Sequence, residues 1–162
     1  MSWRVGAETD LMKVLISACL LGENVRWNGQ NKYAKKLLEW AESQDLELIP
    51  ICPEDELLGT PRGKISLIQI EDNLCANYKG SDIASGLRQK CEEINDRHTD
   101  AAGFIGIYGS PSCGISAGVK NLGKTIKGFM HQSVECPSTE SSALKNENNR
   151  EIFLKRMKKY ER

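Results

Sequence analysis

No stretch of this chain approaches the roughly 18 consecutive apolar residues of a membrane span, so a bilayer-spanning role finds no support in the sequence. Net charge is lacking too. The 22 basic and 22 acidic residues cancel, which removes the overall basic excess typical of nucleic-acid binders and leaves only local patches to consider. Histidine is scarce: His98 and His131 are the only two, and neither has a neighbour at ligand spacing. No C-x-x-C pair occurs, which argues against a structural zinc site. No internal repeat and no low-complexity segment is visible.

The opening residues, "MSWRVGAETDLM", carry one early arginine and no apolar core, so they do not read as a signal peptide. Met12 can serve as an alternative start, which makes residues 1–11 a short N-terminal extension. A cytoplasmic location is expected. With 162 residues, 40% of them hydrophobic, the chain can bury one real core, and residues 12–162 are expected to form a single α/β domain. Six cysteines without an export signal read as free thiols, metal ligands or catalytic groups rather than a disulfide framework.

Strand and helix signals alternate. "KVLISA" (13–18) is a β-branched apolar run. "KYAKKLLEWAES" has Tyr33, Leu37, Leu38 and Trp40 at helical spacing. "LELIPI" is the next strand, followed by a short helical turn at "EDELL". "KISLIQIEDN" alternates like an edge strand or hairpin. Residues 80–99 form a long amphipathic helix, with Ser81 or Asp82 as N-cap and Ile83, Leu87, Cys91 and Ile94 inward. "AAGFIGIY" is a third strong strand. The Gly- and Lys-rich stretch 115–137 has no clear period. "NNREIFLKRMKKYER" closes the chain as a helix with Ile152, Phe153, Met157 and Tyr160 inward. The alternation predicts an α/β fold, a Rossmann-like three-layer sandwich on a mostly parallel sheet.

Three cysteines stand just past strands: Cys19, Cys52 and Cys113. In a parallel sheet all carboxyl ends lie on one edge, where ligands bind, so thiols 33 and 61 residues apart are expected to meet there. Cys91 belongs to the apolar stripe of its helix, and Cys75 and Cys136 lack the strand-end context. Three thiolates favour a soft metal, zinc or an iron–sulfur cluster. A four-iron cubane held by three cysteines leaves one iron free for substrate.

"ISACLLGENVRWNGQNK", "LIPICPEDELLGTPR" and "SPSCG" resemble the TudS-type thiouracil and thiouridine desulfurases, and the terminal "ESSALKNENNREIFLKRMKKY" resembles the closing segment of their relatives. The resemblance spans residues 13 to 160. It implies a Rossmann-like fold and a [4Fe-4S] cluster on Cys19, Cys52 and Cys113. It also implies removal of sulfur from 2-thiouracil- or 4-thiouridine-type bases, with the substrate sulfur on the unique iron and oxygen supplied by water. Glu54, two residues after Cys52, is then the carboxylate placed for proton transfer, and Ser110 the hydroxyl that orients the water. Asn28, Gly29 and Lys32 are candidates for shaping a loop near Cys19. Arg62 either meets an anion or is a solvated loop residue. His98, at a helix end, suits the dipole there.

Two other readings use the same residues. A non-enzymatic metal- or cluster-carrying module needs the three thiols but not Glu54. A hydrolase with Cys113 as nucleophile needs a base beside the thiol. The expected partner is a small thiolated base or nucleoside. Transfer RNA is not favoured, because the basic "KRMKKYER" tail also suits a solvated helix end.

Overall fold

The computed structural model describes residues 11–161; the extension expected over residues 1–11 lies, apart from Leu11, outside them. In chain order the elements are β1 (Lys13–Ser17), α1 (Lys35–Ser43), β2 (Glu47–Ile51), α2 (Pro53–Leu58), β3 (Ser66–Ile70), β4 (Asn73–Tyr78), β5 (Ser81–Asp82), α3 (Ala84–Arg97), β6 (Ala101–Gly106), β7 (Ala117–Val119), β8 (Lys124–Ile126), α4 (Phe129–Ser133), β9 (Ser138–Glu140) and α5 (Glu147–Glu161).

The main sheet has the order β2-β1-β6-β9, and every neighbouring pair in it is parallel. Its middle strands are apolar on both sides, as a parallel sheet covered on both faces requires. Val14 and Ile16 of β1 face the cluster formed with α1 and α5. Leu15 faces the opposite cluster, which includes Leu87, Cys91 and Ile94 of α3 and Phe129 and Met130 of α4. Each such side chain, removed from water, contributes about 1.5–3 kcal/mol. The result is the expected three-layer α/β arrangement. At Gly103 in β6 a Cβ would collide with Met157 Sδ and lie 3.0 Å from Phe153 Cζ, so α5 rests directly on the strand because no side chain intervenes.

A second sheet, β5-β4-β3-β7-β8, was not legible as such. The hairpin β3–β4 was expected, but β3 is the middle strand of this sheet rather than an edge, pairing parallel with β7 through Leu67 and Val119. The stretch without a clear period supplies β7, β8 and α4. Its two short strands form an antiparallel hairpin, too brief for alternation to register.

Other boundaries shift for local reasons. Helix α3 begins at Ala84, and Asp82 lies just before it in β5, where its Oδ1 accepts from Ala84 N (3.0 Å) and Ala76 N (2.9 Å). Those two bonds hold the Asp82 carboxyl below the usual range. Tyr33 precedes α1 and is exposed. In α5 Phe153 and Met157 are buried, whereas Ile152 and Tyr160, expected inward, are exposed; the contact stripe is narrower because only one face of this terminal helix meets β6. No helix among the described residues is long and apolar enough to cross a membrane.

Candidate active site

The chain passes from β1 to β2 on one side, then returns through β6 on the other side of β1. That reversal opens a crevice at the carboxyl ends of β1 and β6. A cavity of about 400 Å3 occupies it, lined among others by Cys19, Cys52 and Cys113. This is within the size range of small-molecule sites.

Each thiol is delivered differently. Cys19 lies in the 3-10 turn Ala18–Leu21 that follows β1, and its carbonyl anchors the next loop by accepting from Gly22 N (3.2 Å) and Lys32 N (2.9 Å). Cys52 is the N-cap of α2, and its Sγ accepts from Asp55 N at 3.4 Å. A polar side chain at that position takes one of the helix's orphan donors. Cys113 ends a turn in which Ser110 Oγ accepts from Cys113 N (3.0 Å) and Gly114 N donates to Ser110 O (2.8 Å). Burial pushes the Cys19 and Cys52 thiols up to about 11 and Cys113 well above its usual value. For Cys19 and Cys52 burial outweighs the opposing pull of the nearby arginines, Arg62 among them, and favours the protonated thiol.

Glu54 is buried in the same cavity. One carboxylate oxygen, Oε2, accepts from Ser112 Oγ at 2.7 Å and from Ser110 Oγ at 3.1 Å. The other, Oε1, faces Arg62 at 3.4 Å. Arg62 is 6% exposed, so it is neither a solvated loop residue nor free for an outside anion. Its guanidinium also donates to Val25 O, Gly59 O and Thr60 Oγ1, while its Nε has no partner.

Ser112 was not singled out from the sequence, yet it makes the shorter bond to Glu54 and lies 3.6 Å from Cys113 Sγ. Its position between Pro111 and Cys113 was the available signal. The loop after Cys19 reaches the cavity through Val25, Arg26 and Trp27. Asn28, Gly29 and Lys32 do not line it: Asn28 Oδ1 closes a local turn by accepting from Gln30 N (3.1 Å), and Gly29 takes a left-handed φ of 79°. Lys64 and Tyr108 complete the mouth, with Lys64 Nζ 4.9 Å from the Trp27 ring.

Neither histidine serves the thiols as a base. His131 Nε2 lies 2.8 Å from the Cys113 carbonyl oxygen, and burial lowers its pKa. His98 caps the end of α3 away from the cavity lining. Cys91 is fully buried in the core, Cys136 is buried beside it, and Cys75 sits on β4. All six cysteines are free. Among the described residues no three or more His, Cys, Asp or Glu side chains stand close enough to grip one metal ion.

A comparison of solved structures gives a "[4Fe-4S]-dependent thiouracil desulfidase TudS" at TM-score 0.67 and 21% identity, covering 88% of this chain and 99% of that one. No curated protein sequence matches. The family model described as 2-thiouracil desulfurase matches residues 14–146, a span that contains all three strand-end cysteines, Glu54, Arg62, Ser110 and Ser112. The chain therefore belongs to the 2-thiouracil desulfurase family.

Proposed function

We propose that Cys19, Cys52 and Cys113 hold a [4Fe-4S] cluster, and that Glu54 with Ser110 carries out hydrolytic desulfuration of a small thiolated pyrimidine beside it. The donor set fits. The three thiols are the soft ligands lining the cavity, and cysteine thiolates are the ligands that iron–sulfur clusters take. The one carboxylate nearby, Glu54, is already occupied by two serines and an arginine, so it is not a spare ligand. The observation that carries the reading is this combination: three thiols and a buried, hydrogen-bonded carboxylate lining one cavity.

When bound, the cluster supplies an open iron site, a soft Lewis acid matched to a thiocarbonyl sulfur. Everything else falls to the chain. Overall the reaction exchanges C=S and water for C=O and hydrogen sulfide, with no change of oxidation state. Glu54 takes a proton from the water oxygen that attacks the ring carbon and returns one toward the departing sulfur. Ser110 and Ser112 fix the carboxylate oxygen Oε2, and Arg62 holds Oε1, so the base is oriented before substrate arrives. Val25, Ile65 and Ile107 give the cavity an apolar wall that favours a ring over bulk water.

A carrier module would have no use for Glu54, and its burial with dedicated partners favours the enzyme. A Cys113 nucleophile finds no histidine base, because His131 meets the Cys113 carbonyl, and burial favours the neutral thiol. The small cavity and the zero net charge favour a free base or nucleoside over transfer RNA. The domain we assign spans residues 12–162.

The test is anaerobic reconstitution followed by sulfide release from 2-thiouracil. Glu54→Gln is expected to lower turnover about 100-fold or more, the usual worth of a general acid–base, while iron content and the absorption of the cluster stay unchanged. A fully active Glu54→Gln variant overturns the proton-transfer role, and a wild-type chain that takes up no iron overturns the ligand assignment.

A further inference from the structure

The loop that carries Cys113 has no regular structure of its own, yet its backbone is held from outside at four successive positions. Phe129 N donates to Pro111 O (3.1 Å), Met130 N to Ser112 O (2.8 Å) and Gly128 N to Gly114 O (2.7 Å). The remaining carbonyl, that of Cys113, meets His131 Nε2 at 2.8 Å. One short segment, Gly128 to His131, thus supplies one donor for every carbonyl from Pro111 to Gly114. Three donors are backbone groups at the start of α4. The fourth is a side chain.

The fit around the fourth bond is tight. On the far side Ile107 N also donates to Cys113 O (3.1 Å). At Gly106 an added Cβ would collide with that same carbonyl and lie 2.8 Å from His131 Nε2. At Gly128 a Cβ would lie 2.7 Å from Gly114 O and 2.8 Å from Ser112 O. His131 is 6% exposed and its Nδ1 has no partner. The acceptor opposite Nε2 requires the proton there, so the contact with Cys113 is the ring's one hydrogen bond. Phe104, with its ring centre 4.8 Å away and tilted by 52°, fixes the plane of the imidazole.

We propose that Gly128–His131 is a clamp that positions Cys113 toward the cavity, and that His131 is the positioning residue that closes it. This rests on Cys113 being a cluster ligand, as assigned above. The direction of a ligand's Sγ follows from its backbone, and groups behind the ligand tune both its aim and the metal's retention. A loop without strand or helix bonds needs such a brace, and the chain builds it from a segment more than a dozen residues away.

Two readouts test the clamp without using turnover. The first is the rate at which iodoacetamide alkylates Cys113 in the metal-free protein, followed by peptide mass. The second is iron retained per chain after reconstitution and a chelator challenge. His131→Phe keeps a ring but loses the donor; His131→Gln keeps a donor near Nε2. Gly128→Ala strains the other end of the clamp without touching the imidazole. Alkylation of Cys113 is expected to rise about tenfold in His131→Phe and in Gly128→Ala, the scale of one lost hydrogen bond. Iron retention should fall in both, and His131→Gln should restore wild-type behaviour. Equal rates in wild type and both disruptive variants, or a His131→Gln variant as impaired as His131→Phe, overturn the clamp. If the wild type binds no iron, the ligand assignment fails, and the alkylation rates alone decide whether the brace exists.

Discussion

The two sheets of this protein are built to different rules. The β2-β1-β6-β9 sheet is parallel and covered on both faces, and the connections that leave three of its four strands each bring a cysteine to the cavity, Cys113 after a six-residue loop beyond β6. The β5-β4-β3-β7-β8 sheet is mostly antiparallel. It packs Leu67, Ala76 and Val119 inward and leaves Ile70 and Leu122 exposed at its hairpin ends, as antiparallel sheets can. It also carries a cysteine, Cys75, on β4. The contrast separates thiols that line the cavity from one that merely sits on a strand. Connections leaving a parallel sheet converge at one edge; hairpin connections return locally and converge on nothing.

The largest effect should come from moving the same mutation between the sheets. Cys19→Ala, Cys52→Ala or Cys113→Ala is expected to reduce bound iron to background and abolish sulfide release, measured by iron assay and absorption after anaerobic reconstitution. Cys75→Ala should leave both intact. Loss of iron in the Cys75 variant would break the distinction. Next in size is packing. Phe104, fully buried in β6, should cost about 3–5 kcal/mol when changed to Ala. Ile70, 57% exposed, should cost about 0.5 kcal/mol or less. Urea unfolding of the metal-free protein checks both.

A third effect concerns pH. Burial pushes the Cys136 thiol, just before β9, up to about 11 from 9.0. The folded chain therefore keeps a proton that the unfolded chain releases. This contribution to stability is fully present below about pH 9 and is lost as pH rises to about 11. Cys136→Ala is expected to flatten the decline in urea midpoint between those values. An unchanged slope would sharpen the comparison by removing this thiol from it.

Much of this was legible from local signals. The apolar runs at 13–18 and 101–106, the helical period of 84–97 and the punctuation after each strand place the three thiols and Glu54 without coordinates. The second sheet was not, because three-residue strands such as β7 and β8 are too short for alternation. Arg62 and Ser112 were missed or misread for a different reason. An arginine in "TPRG" and a serine in "SPSCG" carry no local mark of burial; each becomes a partner of Glu54 only when segments 8 and 58 residues apart in sequence meet. His131 was likewise unremarkable until its ring reached the carbonyl of Cys113.

The sequence by itself determined the longer strands and helices, the parallel sheet and the candidate ligands, because periodicity, turn chemistry and cysteine placement act over a few residues. Tertiary structure alone decided what surrounds them: the serines and arginine on Glu54, and the segment that braces the Cys113 loop. Those depend on which distant backbone groups come within hydrogen-bond reach, and only the packing of the folded chain fixes that.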